Sequence, residues 1–135
     1  MTKVFVQVAA NEGANLEPCE IDWIVGVASV EMVVRSSFLG VVKINSQDLF
    51  DAMVQLRKQL QQSGRLLLCS GARKDAYPSR MMLEMGGGKK VYLLHHGRPA
   101  AKDDLMDIFD PAVYLQVGTV EEQRLGYEEW LRSLT

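Results

Sequence analysis

A change of hydrophobic period near Ser46 constrains this chain's fold more than any other feature. Before it, apolar residues alternate. Val4, Val6 and Val8 interleave with Lys3, Phe5 and Gln7, the two-residue period of a half-buried strand. Asn11-Glu12-Gly13-Ala14-Asn15 reads as a turn. A second strand follows, with Ile21, Trp23, Val25 and Val27 on one face and Gly26 marking a bulge. Residues 30–34 and 38–44, parted by Arg35-Ser36-Ser37, are rich in β-branched side chains, which suit a pleated sheet better than a helix. The short connections imply antiparallel hairpins or a meander.

Beyond Ser46 the spacing turns helical. Ser46 is the expected N-cap, and Asp48 stands in the first turn, where a negative charge complements the helix dipole. Leu49, Phe50, Met53, Leu56 and Leu60 recur at helical intervals, and Gly64 suits the residue that ends the helix. Leu66-Leu67-Leu68-Cys69 and Val91-Tyr92-Leu93-Leu94 are short and wholly apolar, as strands buried on both faces would be. Between them Pro78 suits a first helical position, Met81, Met82 and Met85 suit a packed face, and Gly86-Gly87-Gly88 stops the helix. Residues 66–94 therefore read as a βαβ unit with parallel strands and a right-handed crossover. A short helix over 102–109 and a strand over 113–117 follow. Thr119-Val120-Glu121-Glu122 is a capping box that opens a last helix, whose Tyr127, Trp130, Leu131 and Leu134 share one face and are expected to pack. The fold class is α+β: N-terminal antiparallel strands or a meander, a βαβ-containing half and a C-terminal helix, all in one domain over 1–135. A chain of 135 residues buries roughly two thirds of its unfolded surface on folding and needs neither metal nor disulfide for it.

Compartment follows from what these patterns leave out. Cys19 and Cys69 each sit beside apolar sequence and read as reduced thiols of a cytoplasmic protein. A catalytic Cys69 would need a nearby base. No apolar run approaches the roughly 20 residues that span a bilayer, and the opening residues alternate instead of forming the apolar stretch of a signal peptide. No membrane partner is expected.

The net charge of −2 conceals a polarity. Residues 1–102 carry 13 basic and 9 acidic side chains, whereas 103–135 carry 2 and 8. Gly86-Gly87-Gly88-Lys89-Lys90 invites comparison with a phosphate loop. Its glycines, however, follow a helix and precede a strand, and no Ser or Thr follows the lysines, the reverse of what phosphate cradling requires.

In a parallel sheet the better binding edge is the opposite one. There Ser70, Gly71, Arg73 and Lys74, Ser79 and Arg80 at the next helix start, and His95, His96 and Arg98 would meet. Such a basic loop beside helical N–H groups suits a phosphate, a carboxylate or an acidic protein surface. The adjacent histidines point to opposite faces and make a poor chelating pair, so no metal and no cofactor is expected. One of them could act as a general base with Ser70 or Ser79. Asp103, Asp104, Asp107, Glu121, Glu122, Glu128 and Glu129 form an acidic surface suited to a basic partner. Asp103, Asp104, Glu121 and Glu122 also complement helix dipoles. Nucleic acid is not the expected partner, because dense Lys/Arg with interleaved aromatics is missing.

The segments from Leu68-Cys69-Ser70-Gly71-Ala72-Arg73 through Tyr77-Pro78-Ser79-Arg80-Met81 to Met85-Gly86-Gly87-Gly88-Lys89-Lys90-Val91-Tyr92, with Asp107-Ile108-Phe109-Asp110-Pro111-Ala112 and Val117-Gly118-Thr119-Val120-Glu121-Glu122-Gln123, cover about the last half of the chain. They resemble small standalone bacterial proteins similar to immunity proteins of polymorphic toxin systems. The resemblance implies a non-enzymatic inhibitor whose partner is another protein, a toxin. It brings no catalytic residues. The alternative is a small enzyme or sensor holding a phosphorylated metabolite at the 70–80 loop.

Overall fold

The structure is a computed structural model that describes residues 2–10 and 12–135. The N-terminal alternation builds β1 (Thr2–Ala10), β2 (Ala14–Gly26), β3 (Ser29–Ser36) and β4 (Gly40–Ser46), each antiparallel to the next. Asn11, part of the expected turn, lies outside the described residues. The buried members are those the period selects: Val6, Val8, Cys19, Ile21, Trp23, Val30, Met32, Val34 and Ile44. The expected face of β2 runs out before its end. Gly26 closes the hairpin opposite Ser29 instead of bulging, and the sheet's irregularity falls between Val8 and Ala10. Val27, at the hairpin tip, is 99% exposed, and Ala28 sits at φ 54, a left-handed conformation that costs a residue with a Cβ roughly 1–2 kcal/mol.

Helix α1 (Leu49–Gln61) covers one face of this sheet and buries Leu49, Phe50, Ala52, Met53, Leu56, Arg57 and Leu60. Its N-cap is Asp48, which accepts from the Asp51 N–H at 2.7 Å. Ser46, two residues too early for that role, donates to the Asp51 carboxylate. The chain leaves the helix through Gly64 at φ 72, and the Arg65 N–H returns to the Leu60 carbonyl.

The expected parallel βαβ unit does not form. β5 (Leu66–Leu67) adds antiparallel to β1, giving the order β4-β3-β2-β1-β5. The second apolar run, β7 (Lys90–Leu93), lies in a separate antiparallel sheet between β6 (Ala76–Tyr77) and β8 (Leu105–Asp107). A parallel crossover needs a helix long enough to span the sheet, but α2 (Arg80–Glu84) has only five residues. Its methionines do not pack as expected: Met81 and Met85 are exposed, and Leu83 faces the core instead. The expected 102–109 helix is a 3-10 turn at Lys102–Asp104 followed by β8, and the expected 113–117 strand is a 3-10 turn at Tyr114–Gln116. The glycine run is structural. Gly87 accepts from the Leu49 N–H at 2.8 Å, and a Cβ on Gly88 would lie 2.7 Å from the Phe50 nitrogen.

One apolar cluster joins both sheets, from Ile21 and Met32 through Met53 to Val91, Ile108 and Val117. Trp23 stacks on Phe109 at 4.6 Å, a further tie between the halves. The last element is α3 (Val120–Ser133), opened by the expected capping box: the Glu122 N–H donates to Thr119 Oγ1, and the Thr119 N–H to Glu122 Oε1. Among the described residues no helix is long and apolar enough to cross a membrane.

Candidate partner-docking cleft

Because the two apolar runs occupy different sheets, the basic pocket expected between their ends is not assembled. Ser70 and Gly71 are core residues of a 3-10 turn, with N–H groups donating to the Asp110 and Ile108 carbonyls. A Cβ at Gly71 would lie 2.6 Å from Met53 Sδ, so glycine is needed for close packing, not for a ligand. Arg73 is held in a two-pronged pair with Asp75 at 2.7 and 2.9 Å. Ser79 caps α2 through the Met82 N–H. Arg80 projects away, 90% exposed on its side chain. The 95–98 hairpin pairs His95 with Arg98. His95 Nε2 lies 3.2 Å from Asp104, and no hydrogen bond joins either histidine to Ser70 or Ser79 among the described residues. Cys69 is fully buried, its Sγ 3.8 Å from Met53 Sδ. Burial pushes its thiol up to about 12, which keeps it protonated and unreactive.

The acidic set is also partly committed. Asp107 accepts from the Phe109 N–H and faces Lys89, Glu122 completes the capping box, Glu128 pairs with Arg124, and Glu121 accepts from Gln61. Asp103 is exposed, and Asp104 is the partner of His95.

The structure brings the two charged sets together where the sequence kept them apart. Lys74 and His96, from the basic set, line a cleft of about 440 Å³ with Glu122 and Glu129, from the acidic one. Leu94, Leu125 and Trp130 supply its apolar wall. Three ties fix this geometry. The Trp130 indole N–H donates to the Arg98 carbonyl at 2.9 Å, the Gly97 N–H donates to Ser133 Oγ at 2.8 Å, and Gly126 lets α3 sit directly on the Lys74 carbonyl.

Sequence reasoning missed what holds α3 down. Arg57 is buried, and among the described residues it has no carboxylate within hydrogen-bonding reach. It donates to Gln123 Oε1 at 2.6 Å, to the Gly118 carbonyl at 3.0 Å and, more distantly, to the Gly71 carbonyl. Gln123 returns two bonds from Nε2, to Gly71 and Ala76. Desolvation pushes the guanidinium down to about 10. The available signal was Arg57 on the apolar face of α1, one turn after Met53 and between Leu56 and Leu60. Gln123 is the one buried residue of α3, while Tyr127 stacks on Tyr77 at 4.2 Å and neighbours Trp130 at 5.9 Å. Leu131 and Leu134, part of the face expected to pack, stay exposed, as does Leu125.

Compared with known proteins, the chain matches no protein-family model and no curated sequence.

Proposed function

We propose that this chain is a non-enzymatic protein-binding module of the cytoplasm, an immunity-type inhibitor that neutralises a partner toxin docked on α3 and the 94–98 hairpin. The observation that carries this reading is the composition of that face. An apolar wall of Leu94, Leu125 and Trp130 is rimmed by Lys74, His96, Glu122 and Glu129, and the leucines of α3 beside it are uncovered. Interfaces have this make-up, an aromatic and apolar centre within a polar rim. Charges of both signs at fixed positions favour one orientation of one partner and disfavour others. The buried Cys69 and Ser70 and the capping Ser79 leave the 70–80 loop to the fold, which supports binding over catalysis.

The test is capture of the partner with the tagged protein, followed by co-expression. The captured protein should arrest bacterial growth when expressed alone and cease to do so beside this chain. Rescue should be lost in Glu129→Lys and Leu125→Asp, both at exposed positions, with thermal midpoints unchanged. Rescue that survives both substitutions would rule out this face.

A further inference from the structure

Three carboxylates line the cleft between α3 and the 94–98 hairpin, those of Asp75, Glu122 and Glu129. The chain matches two of them. Asp75 is held by Arg73 at 2.7 and 2.9 Å. Glu122 has Lys74 alongside: a Cβ on Gly118 would meet Lys74 Cγ at 2.6 Å and Glu122 Oε1 at 2.9 Å, so the lysine stem runs past that carboxylate. Glu129 is exposed and forms no ion pair among the described residues. Trp130, next to it in sequence, is the one Trp, Tyr or Phe lining the same cleft. It ends a run of near-parallel rings, with Tyr77 and Tyr127 inclined by 16° and Tyr127 and Trp130 by 27°. The indole face turned away from Tyr127 has no other ring and no side-chain cation against it among the described residues. We infer that this cleft takes an arginine of the partner, its guanidinium stacked on Trp130 and bonded to Glu129. The inference rests on reading the α3 face as the docking surface and names the chemistry which that surface selects.

Charge and shape select this side chain together. The unmatched charge is negative, and a carboxylate covered by a partner without a counter-charge is costly, so a partner seated here supplies a cation. An uncovered indole face attracts cations through its quadrupole. Lys74, already beside Glu122, repels a second cation at that end and directs it to Glu129. Of the permanent cations only a guanidinium is flat. It can lie on a ring and fork onto a carboxylate, whereas a lysine ammonium is a strongly hydrated point charge. Leu94 and Leu125 offer an apolar wall along which the methylene stem can lie.

The chain has two tryptophans, so the indole N–H signals give a built-in comparison. Trp130 lines the cleft, whereas Trp23 is buried in the core. The probes are capped peptides of sequence Gly-Ala-X-Ala-Gly, in which X is arginine, lysine or citrulline, the uncharged copy of arginine. The arginine peptide should move the Trp130 signal and leave that of Trp23 in place, with a dissociation constant on the order of 10 mM. The lysine peptide should bind about threefold more weakly and the citrulline peptide about tenfold. Glu129→Gln, at an exposed position, should weaken arginine binding about fivefold with an unchanged thermal midpoint. Lysine or citrulline binding as tightly as arginine, an arginine affinity untouched by Glu129→Gln, or no movement of Trp130 by about 50 mM peptide would overturn the inference. If the peptides fail while Glu129→Lys still abolishes rescue, the arginine assignment alone falls. If rescue survives both Glu129→Lys and Leu125→Asp, the docking face itself is wrong.

Discussion

Helices α1 and α3 are close in length, 13 and 14 residues, yet they are fastened by opposite means. Helix α1 buries six apolar side chains and one arginine against the large sheet. Helix α3 buries one glutamine and is otherwise held by an aromatic stack and by the Trp130–Arg98 and Ser133–Gly97 hydrogen bonds to the hairpin. A helix can therefore serve the core or serve a surface. An apolar stripe binds by area, whereas a polar latch fixes position and leaves leucines for another molecule. Buried hydrogen-bond networks specify one arrangement provided every member is satisfied, and among the described residues no buried side-chain polar atom lacks a partner.

The contrast can be broken by substitution. Leu56→Ala, at a fully buried position, should cost about 2–5 kcal/mol in urea unfolding; a loss as small as that of a surface change would mean α1 is not the core helix. Gln123→Leu removes an acceptor of a buried guanidinium and should cost about 2–3 kcal/mol. Hydrogen exchange should show that loss first in α3, and uniform loss across the sheet would refute a local latch.

Alkaline pH probes the same core. Burial raises Cys19 from 9.0 to about 11 and Cys69 to about 12. Above pH 9 the unfolded chain releases these protons while the folded chain keeps them, so stability is complete below that pH and declines as pH climbs toward the folded values. At one pH unit above the free-thiol value each thiol accounts for about 1.4 kcal/mol. Cys19→Ala should flatten the decline in thermal midpoint between pH 9 and 11, and an unchanged slope would remove the thiol from the explanation. Thr119→Ala deletes the cap and should cost about 1 kcal/mol by urea titration. Smallest of all, Leu131→Ser should change stability by less than about 0.5 kcal/mol, and a larger loss would place that leucine in the core after all.

How much of this was legible in the sequence depended on the range of the interaction that decides each element. The β1–β4 meander, α1 and the α3 capping box follow from period and local hydrogen bonding, which neighbouring residues carry. The pairing of Leu66-Leu67 and of Val91-Tyr92-Leu93 did not, because two short apolar runs look alike whether they share a sheet or face the core from separate ones. The parallel edge drawn from that pairing failed with it, although Lys74 and His96 still meet in one cleft. Lys74, His96, Glu122 and Glu129 were each singled out, but for two different surfaces. Nothing local says that α3 lies across the hairpin. The Arg57–Gln123 contact spans 66 residues, and a glutamine within a charged helix carries no mark of burial.

Gly126 interrupts α3 at a position where alanine would favour the helix by roughly 1 kcal/mol, yet any Cβ there would collide with the Lys74 carbonyl. The missing methyl group is therefore a steric key. A remote relative whose other residues have drifted beyond recognition would still have to leave that spot bare to seat its last helix, and a chain with a bulky residue there must carry this helix at another angle and offer a differently shaped mouth to whatever it meets.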